Sequence, residues 1–134
     1  MREFHWPVRV YYEDTDAGGV VYHTGYLRFM ERARTEWLRA GGVEQDRLLE
    51  EQGVLFAVRA AEVDFLHPAR FNDLLEVRST IAERRRASLV FDQRICRAGE
   101  DEILCRARIR VVSVDARAFR PCAIPGELLE VFET

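Results

Sequence analysis

The stretch that decides the fold is TGYLRFMERARTEWLRAGG, residues 24–42. Apolar side chains recur in it at steps of three and four residues, which is the period of an amphipathic helix. They are Tyr26, Phe29, Met30, Ala33, Trp37 and Ala40. Gly41 and Gly42 supply a C-terminal stop, so we predict a helix of about 16 residues with one broad apolar face. On its polar side, Glu31 has the spacing to pair with Arg34.

Downstream of this helix the apolar period changes to two. We predict a short second helix over residues 43–51, ending at Gly53, and strands near 55–66, 74–84, 87–97 and 102–114. The last strand is the clearest, because its apolar and basic side chains alternate. Ile103, Cys105, Ala107, Ile109 and Val111 face one way, while Arg106, Arg108 and Arg110 face the other.

Upstream of the helix, residues 8–12 alternate enough to form a further strand, which the run at 16–19 breaks. The short connections make neighbouring strands antiparallel. Five strands curled around one long helix form an α+β domain of the hot-dog architecture, and we predict one such domain over residues 1–134. Because this unit leaves strand edges unpaired, we expect a homo-oligomer, either a dimer or a homotetramer built as a dimer of dimers.

Composition excludes several classes of partner. The 134 residues are 48% hydrophobic and 32% charged, with a net charge of −3. Such mixed signs argue against a nucleic-acid binder, and no apolar run approaches the length of a membrane span. The three cysteines are scattered, which fits reduced thiols, and the first ten residues lack the apolar region of a secretory signal. We therefore expect a cytoplasmic protein.

The segment YYEDTDAGGVVYHTGY, residues 11–26, contains the candidate catalytic residues. The helix that begins near His23 presents free backbone N–H groups and a partial positive charge. Gly18 and Gly19 let the chain fold back, so Asp16 can lie across a small gap from those donors with a substrate carbonyl between. That arrangement suits hydrolysis, with an amide stabilising the oxyanion and a carboxylate attacking or activating water.

Two other interpretations fit the same residues. Asp16 can bond within its own loop as part of an ordinary turn. Asp14 and Asp16, if extended, project to the same side, and with His23 they outline a metal site, but no second histidine stands at ligand spacing. We therefore expect neither a metal nor a cofactor.

A longer set of residues resembles a known family. Residues 6–23, followed by FMERAR at 29–34, closely resemble the YbgC-type acyl-CoA thioesterases, in the 4-hydroxybenzoyl-CoA thioesterase branch of the hot-dog superfamily. The resemblance extends to residues 88–91 and to Val114 and Asp115, so it spans nearly the whole chain.

The resemblance implies roles for particular residues. Asp16 matches the essential carboxylate, as nucleophile or as base toward water. The backbone N–H of His23 matches the donor to the thioester oxygen, and its side chain and that of Tyr12 are also implicated. Tyr12 is otherwise a strand aromatic. Two arginines and a serine stand where the family holds the coenzyme A phosphates, although they also suit a solvated hairpin corner. They are Arg85, Arg86 and Ser88.

The resemblance thus implies an acyl-CoA thioesterase that releases free acid and coenzyme A. An acyl carrier protein is an alternative thiol carrier, which the Arg-rich faces at 84–86 and 106–110 would attract. A non-catalytic acyl-binding scaffold and a hot-dog enoyl-CoA hydratase are the rival functions. Thr24, Gly25 and Met30 depart from the family pattern beside the acyl pocket, which leaves acyl length open.

Overall fold

The long helix and the sheet around it hold the core. The computed structural model describes residues 2–133. Helix α1 (His23–Ala40) is 18 residues long and buries Phe29, Met30, Ala33 and Trp37 completely. It ends where the N–H of Gly41 donates to the carbonyls of the last turn. The helix predicted from residues 24–42 is therefore confirmed, with its start one residue earlier.

The remaining elements follow the predicted order. The strands are β1 (Phe4–Arg9), β2 (Val54–Phe65), β3 (Leu74–Arg84), β4 (Ser88–Arg97), β5 (Ile103–Asp115) and β6 (Arg120–Pro121), and the other helices are α2 (Gln45–Gln52) and α3 (Gly126–Glu133). The five longer strands pair in the order β1-β3-β4-β5-β2, and the pairs given along this path are antiparallel. This is the predicted α+β hot-dog fold.

Three local features differ from the prediction. The first strand ends at Arg9, and Tyr12 lies in a short 3₁₀ turn (Tyr12–Asp14) rather than in a strand. The two-residue strand β6 adds a sixth strand, paired with β5. Helix α3 was not predicted, because its eight residues give a short window and, unlike the equally short α2, no glycine follows its last residue. It closes one end of the core, where the Phe132 ring lies 4.9 Å from that of Trp37.

Strand β2 forms one edge of the sheet and borders both cavities described below. Residues 58–62 are exposed on both faces of this strand, and Val58 is 53% exposed. Its C-terminal end at Phe65 lies near the start of α1, where the Phe65 and Tyr26 ring centroids are 5.7 Å apart. One cavity lies between α1 and β2 at this end, and a second lies toward the other end.

No helix within residues 2–133 combines the length and the apolar character that crossing a bilayer requires.

Candidate active site

Asp14 holds the loop that precedes α1. Its side chain is 7% exposed, and its Oδ2 accepts the Tyr11 N–H at 2.8 Å. Its carbonyl accepts the Tyr22 N–H at 2.9 Å, which ties the loop to the residue before the helix. The carboxylate of Asp14 is therefore used inside the loop, and the predicted extended pair of Asp14 and Asp16 on one side is wrong.

Asp16 lies at the tip of the same loop with an exposed side chain. Its Oδ1 accepts the Gly18 N–H at 2.8 Å, and a Cβ on Gly18 would stand only 3.2 Å from that oxygen. The chain then reverses through Gly19 at a φ of +76°. The turn interpretation thus accounts for one carboxylate oxygen. Within residues 2–133 the other oxygen, Oδ2, accepts no hydrogen bond.

Among residues 2–133, no side chain caps the N-terminus of α1 or offsets its partial positive charge. Its N-cap, Tyr22, is extended at φ −64° and ψ 142° and makes no side-chain capping bond, and the first turn carries no acidic residue. In the described part of the chain, the backbone N–H of His23 meets no acceptor. The positive end of the helix dipole and an unused donor therefore coincide at His23.

Asp16 and His23 line the same cavity, of about 380 Å³, between the loop, α1 and the end of β2. The cavity walls include Tyr26, Phe65 and His67. The His23 ring is exposed, 4.2 Å from the Tyr22 ring centroid and 6.3 Å from that of Phe65. The cavity therefore combines a carboxylate, an open helix N-terminus and an apolar wall.

Sequence reasoning missed two polar side chains of this cavity. The Tyr26 hydroxyl accepts the Ala69 N–H at 3.0 Å; burial raises the pKa of this phenol, and the charge of Asp16 adds to the increase. His67 follows the end of β2, with its Nε2 3.9 Å from Glu102 Oε2. Tyr26 was missed because its position in the helical period is that of a core residue. His67 could have been found, because the His67-Pro68 pair marks a break directly after a predicted strand.

Tyr12 lies outside this cavity in the single chain. Its side chain is 81% exposed, and its ring makes an edge contact with Phe71 at 6.0 Å. The structure therefore brings Asp16 and His23 together and leaves Tyr12 on the surface of the loop.

The predicted phosphate-binding residues lie at the β3–β4 turn. Arg85 Nε is 2.7 Å from Glu83 Oε1, Arg86 is exposed, and the Ser88 hydroxyl accepts from Arg110 at 3.2 Å. Ser88 pairs with Val112 of β5, whereas Phe65 of the cavity that Asp16 lines pairs with Cys105. At about 3.4 Å per residue, the two positions are separated by roughly 24 Å along β5. One chain does not bring the two groups together.

The arginines of β5 are largely neutralised. Arg106 lies 3.3 Å from Asp92, and Arg110 lies 3.3 Å from Glu83. The face that was expected to attract an acidic carrier protein therefore presents less positive charge than its sequence indicates. Separately, no three His, Cys, Asp or Glu side chains in residues 2–133 are grouped so that they could hold a metal ion.

Comparison with known proteins identifies the family. The sequence profile of the Thioesterase-like superfamily matches residues 10–132. The acyl-CoA thioester hydrolase YbgC of Escherichia coli is 49% identical over 130 residues, which cover 97% of this chain and 96% of that protein. The acyl-CoA thioesterase YbgC of Haemophilus influenzae is 46% identical, covering 96% and 93% of the two chains.

This chain belongs to the YbgC family of acyl-CoA thioesterases.

Solved structures share the fold of this YbgC-family chain. A probable thioesterase from Bartonella henselae is 31% identical with a TM-score of 0.85, covering 92% of this chain and all of that one. A 1,4-dihydroxy-2-naphthoyl-CoA thioesterase from Synechocystis, at 24% identity, superposes with a TM-score of 0.90 over 98% and 96% of the two chains. The hot-dog assignment therefore agrees with crystal structures.

Proposed function

We propose that this chain hydrolyses acyl-CoA thioesters to a free acid and coenzyme A, and that Asp16 and the backbone N–H of His23 carry the reaction. One observation supports the assignment most strongly. In a member of the YbgC family, a carboxylate with one unused oxygen lines the same cavity as an open helix N-terminus. These are the two groups that acyl transfer from a thioester requires.

In the proposed mechanism the thioester oxygen accepts the His23 N–H, which stabilises the negative charge that develops in the tetrahedral intermediate. Asp16 acts through Oδ2 in one of two ways. As a nucleophile it bonds to the thioester carbon, the C–S bond breaks and water then hydrolyses the acyl–aspartyl anhydride. As a base it takes a proton from water while the oxygen of that water attacks, and the proton leaves with the coenzyme A thiolate.

The loop geometry supports Asp16 as the reacting group. The Gly18 N–H holds Oδ1 at 2.8 Å, which fixes the carboxylate with the other oxygen free. The fixed position reduces the entropy lost when the substrate is brought to it. The His23 imidazole stands exposed at the same cavity and is a second proposed catalytic group. Tyr12 takes part only if assembly or loop movement brings its hydroxyl to the substrate.

We further propose that the working unit is a homo-oligomer. Strand β2 ends the sheet and exposes Val58 and Phe65, and such an edge is stabilised by pairing with a second copy. Antiparallel pairing of two β2 strands about a two-fold axis reverses their direction. The β3–β4 turn of one chain, which carries Arg85, Arg86 and Ser88, is thereby carried toward the Asp16 end of the other.

In this arrangement the β3–β4 turn of one subunit binds the coenzyme A phosphates, and Asp16 of the other subunit lies at the thioester. The supporting observation is the separation of roughly 24 Å along β5 within one chain, estimated from about 3.4 Å per residue. A complementation assay tests it. Asp16→Asn chains are mixed with chains that carry Arg85→Ala and Arg86→Ala, then refolded together. A composite site predicts recovered activity in the mixture, whereas sites within single chains predict none.

The hydrolase assignment itself is tested by free-thiol release from a panel of acyl-CoAs, from short to long and aromatic, with Asp16→Asn as the inactive control. Release from at least one member that depends on Asp16 supports the function. A chain that binds acyl-CoA without releasing thiol is an acyl-binding scaffold, and a chain that hydrates enoyl-CoA instead is a hydratase.

Coenzyme A is the proposed thiol carrier rather than an acyl carrier protein, because two of the three arginines of the β5 face are already paired with acids. We also propose that the chain is a single hot-dog domain that works in the cytoplasm, which its unpaired cysteines favour. Thiol release from acyl carrier protein thioesters, measured beside the coenzyme A esters, ranks the two carriers.

A further inference from the structure

A second cavity, of about 290 Å³, lies between the helices α1, α2 and α3 and the strands β2, β4 and β5. It shares no lining residue with the catalytic cavity. Most of its wall is apolar, with three phenylalanines and several aliphatic side chains, and α1 contributes one exposed carboxylate, that of Glu31, and one strong cation. That cation is Arg34.

A buried polar network fixes the position of Arg34. Its Nη1 donates to Gln93 Oε1 at 2.8 Å, and Gln93 is completely buried. The amide nitrogen of Gln93 in turn donates to the Met30 carbonyl and to the Ser79 hydroxyl, both at 3.0 Å. The guanidinium carbon lies 5.8 Å from the centre of the Phe91 ring. The arginine is therefore held in place before any ligand arrives.

Arg34 makes no direct ion pair in the described part of the chain, and the counter-charge that acts on it is that of Glu31. No carboxylate of residues 2–133 lies within 4.0 Å of it, and the Glu31–Arg34 pair predicted from the helical spacing is not formed. A guanidinium carries five N–H donors, and only one has a partner here. Burial lowers the pKa of Arg34, while the charge of Glu31 acts in the opposite direction. A guanidinium with free donors and no direct ion pair favours an anionic partner, and the charge of Glu31 on the same wall reduces this preference.

We propose that this cavity binds an amphiphilic carboxylate, with its carboxylate on the free donors of Arg34 and its apolar body against Leu38, Phe56 and Phe91. A guanidinium matches a carboxylate through two parallel hydrogen bonds. A volume of about 290 Å³ holds about ten non-hydrogen atoms, taking ~30 Å³ for each as for liquid water. Octanoate has that size.

The shape of the cavity favours a small molecule over an acidic side chain of a second copy. Six elements of one chain line it, and the inward-facing Phe91 is 3% exposed. The binding does not depend on Asp16, so it is separable from the proposed hydrolysis, although free acids of this kind are the products that such a hydrolysis releases.

The test is calorimetric titration of octanoate, with octan-1-ol as the neutral ligand of equal length, into the wild-type protein, Asp16→Asn and four further variants. Arg34→Met removes the charge and keeps the stem, and Arg34→Lys keeps the charge. Val58→Trp narrows the cavity from β2 and leaves the Gln93 network intact, and size-exclusion chromatography checks that the oligomer proposed to form along β2 is retained. Arg32→Met removes an exposed arginine of the same helix and is the matched control.

We expect octanoate to bind at least tenfold more tightly than octan-1-ol, because a charged hydrogen bond is stronger than a neutral one. Arg34→Met and Val58→Trp each weaken octanoate binding tenfold or more, Arg34→Lys keeps part of the affinity, and Arg32→Met and Asp16→Asn keep all of it. Equal affinity in the wild type, Arg34→Met and Val58→Trp overturns the proposal. Absence of octanoate binding in a protein whose oligomer dissociates on Arg34→Met also overturns it and assigns Arg34 to a subunit interface.

Discussion

Replacing His23 by proline, and separately by alanine, isolates the backbone N–H that is proposed to hold the thioester oxygen. Both variants lack the imidazole, but only proline also removes the N–H. The position accepts proline because His23 is the first residue of α1, where an N–H has no partner within the helix. Tyr22 before it already has φ −64° and ψ 142°, the extended conformation that a residue before proline adopts.

The structure sets the expected magnitudes. The His23 N–H makes no hydrogen bond in the described chain, so its removal changes the free energy of unfolding by no more than about 1 kcal/mol. Loss of one oxyanion donor costs roughly 100- to 1,000-fold in kcat. We therefore expect His23→Pro to be slower than His23→Ala by that factor, and the difference between His23→Ala and wild type to report the imidazole alone.

The assay is free-thiol release at saturating acyl-CoA, with circular dichroism and urea unfolding to establish that both variants fold. Equal kcat values for folded His23→Pro and His23→Ala would refute the reasoning, because the N–H at the start of α1 would then contribute nothing to the transition state.

Three further predictions follow from contacts elsewhere in the chain. Gly41→Ala should lower the free energy of unfolding by about 1–3 kcal/mol in urea titrations, because the new Cβ would stand only 2.4 Å from Val131 Cγ2. Arg85→Ala with Arg86→Ala should raise KM about tenfold and change kcat less, if these arginines hold coenzyme A in the ground state. Cys105 should resist alkylation in the folded protein at mildly alkaline pH, because burial, with a smaller effect of the nearby Asp64, raises the pKa of its thiol to about 12.

Each of these has its own control. Adding Val131→Ala to Gly41→Ala should recover part of the lost stability, and a purely additive double variant contradicts the steric explanation. An unchanged KM in the Arg85→Ala, Arg86→Ala variant would mean that the two arginines do not bind coenzyme A and are only part of the turn. For Cys105, the unfolded thiol ionises first as pH rises through its ordinary pKa, so the free energy of unfolding should fall in that range, and less so in Cys105→Ala.

Much of the fold was predictable because its largest elements have strong periods. Helix α1 alternates its buried and exposed residues at helical spacing over 18 residues, and β5 places Cys105, Ala107 and Ile109 inside while Arg106 and Arg108 face outward. Glycines marked the helix ends, since Gly53 closes α2 in the left-handed region at φ 65°. The two-residue strand β6 and helix α3 were not predicted, because both are short and no glycine marks the end of α3 as Gly53 marks that of α2.

The candidate site was predictable only in part, because three-dimensional proximity does not follow from spacing. The loop geometry of Asp16 followed from the two glycines, but no pattern indicated that Asp14 would be buried and bonded to the Tyr11 N–H. The spacing of Glu31 and Arg34 predicted an ion pair, whereas tertiary packing turns the arginine toward Gln93. Contacts that depend on which side chain of a distant strand lies beneath a helix are set by the whole fold.

The most direct test of the central claim is steady-state hydrolysis of an acyl-CoA by Asp16→Asn. The asparagine side-chain oxygen can still accept the Gly18 N–H that Asp16 accepts at 2.8 Å, so the loop should keep its shape and the protein its stability. The account predicts that kcat falls by at least ~100-fold, as expected when a base or nucleophile is lost. A folded Asp16→Asn protein that releases coenzyme A at the wild-type rate would contradict it.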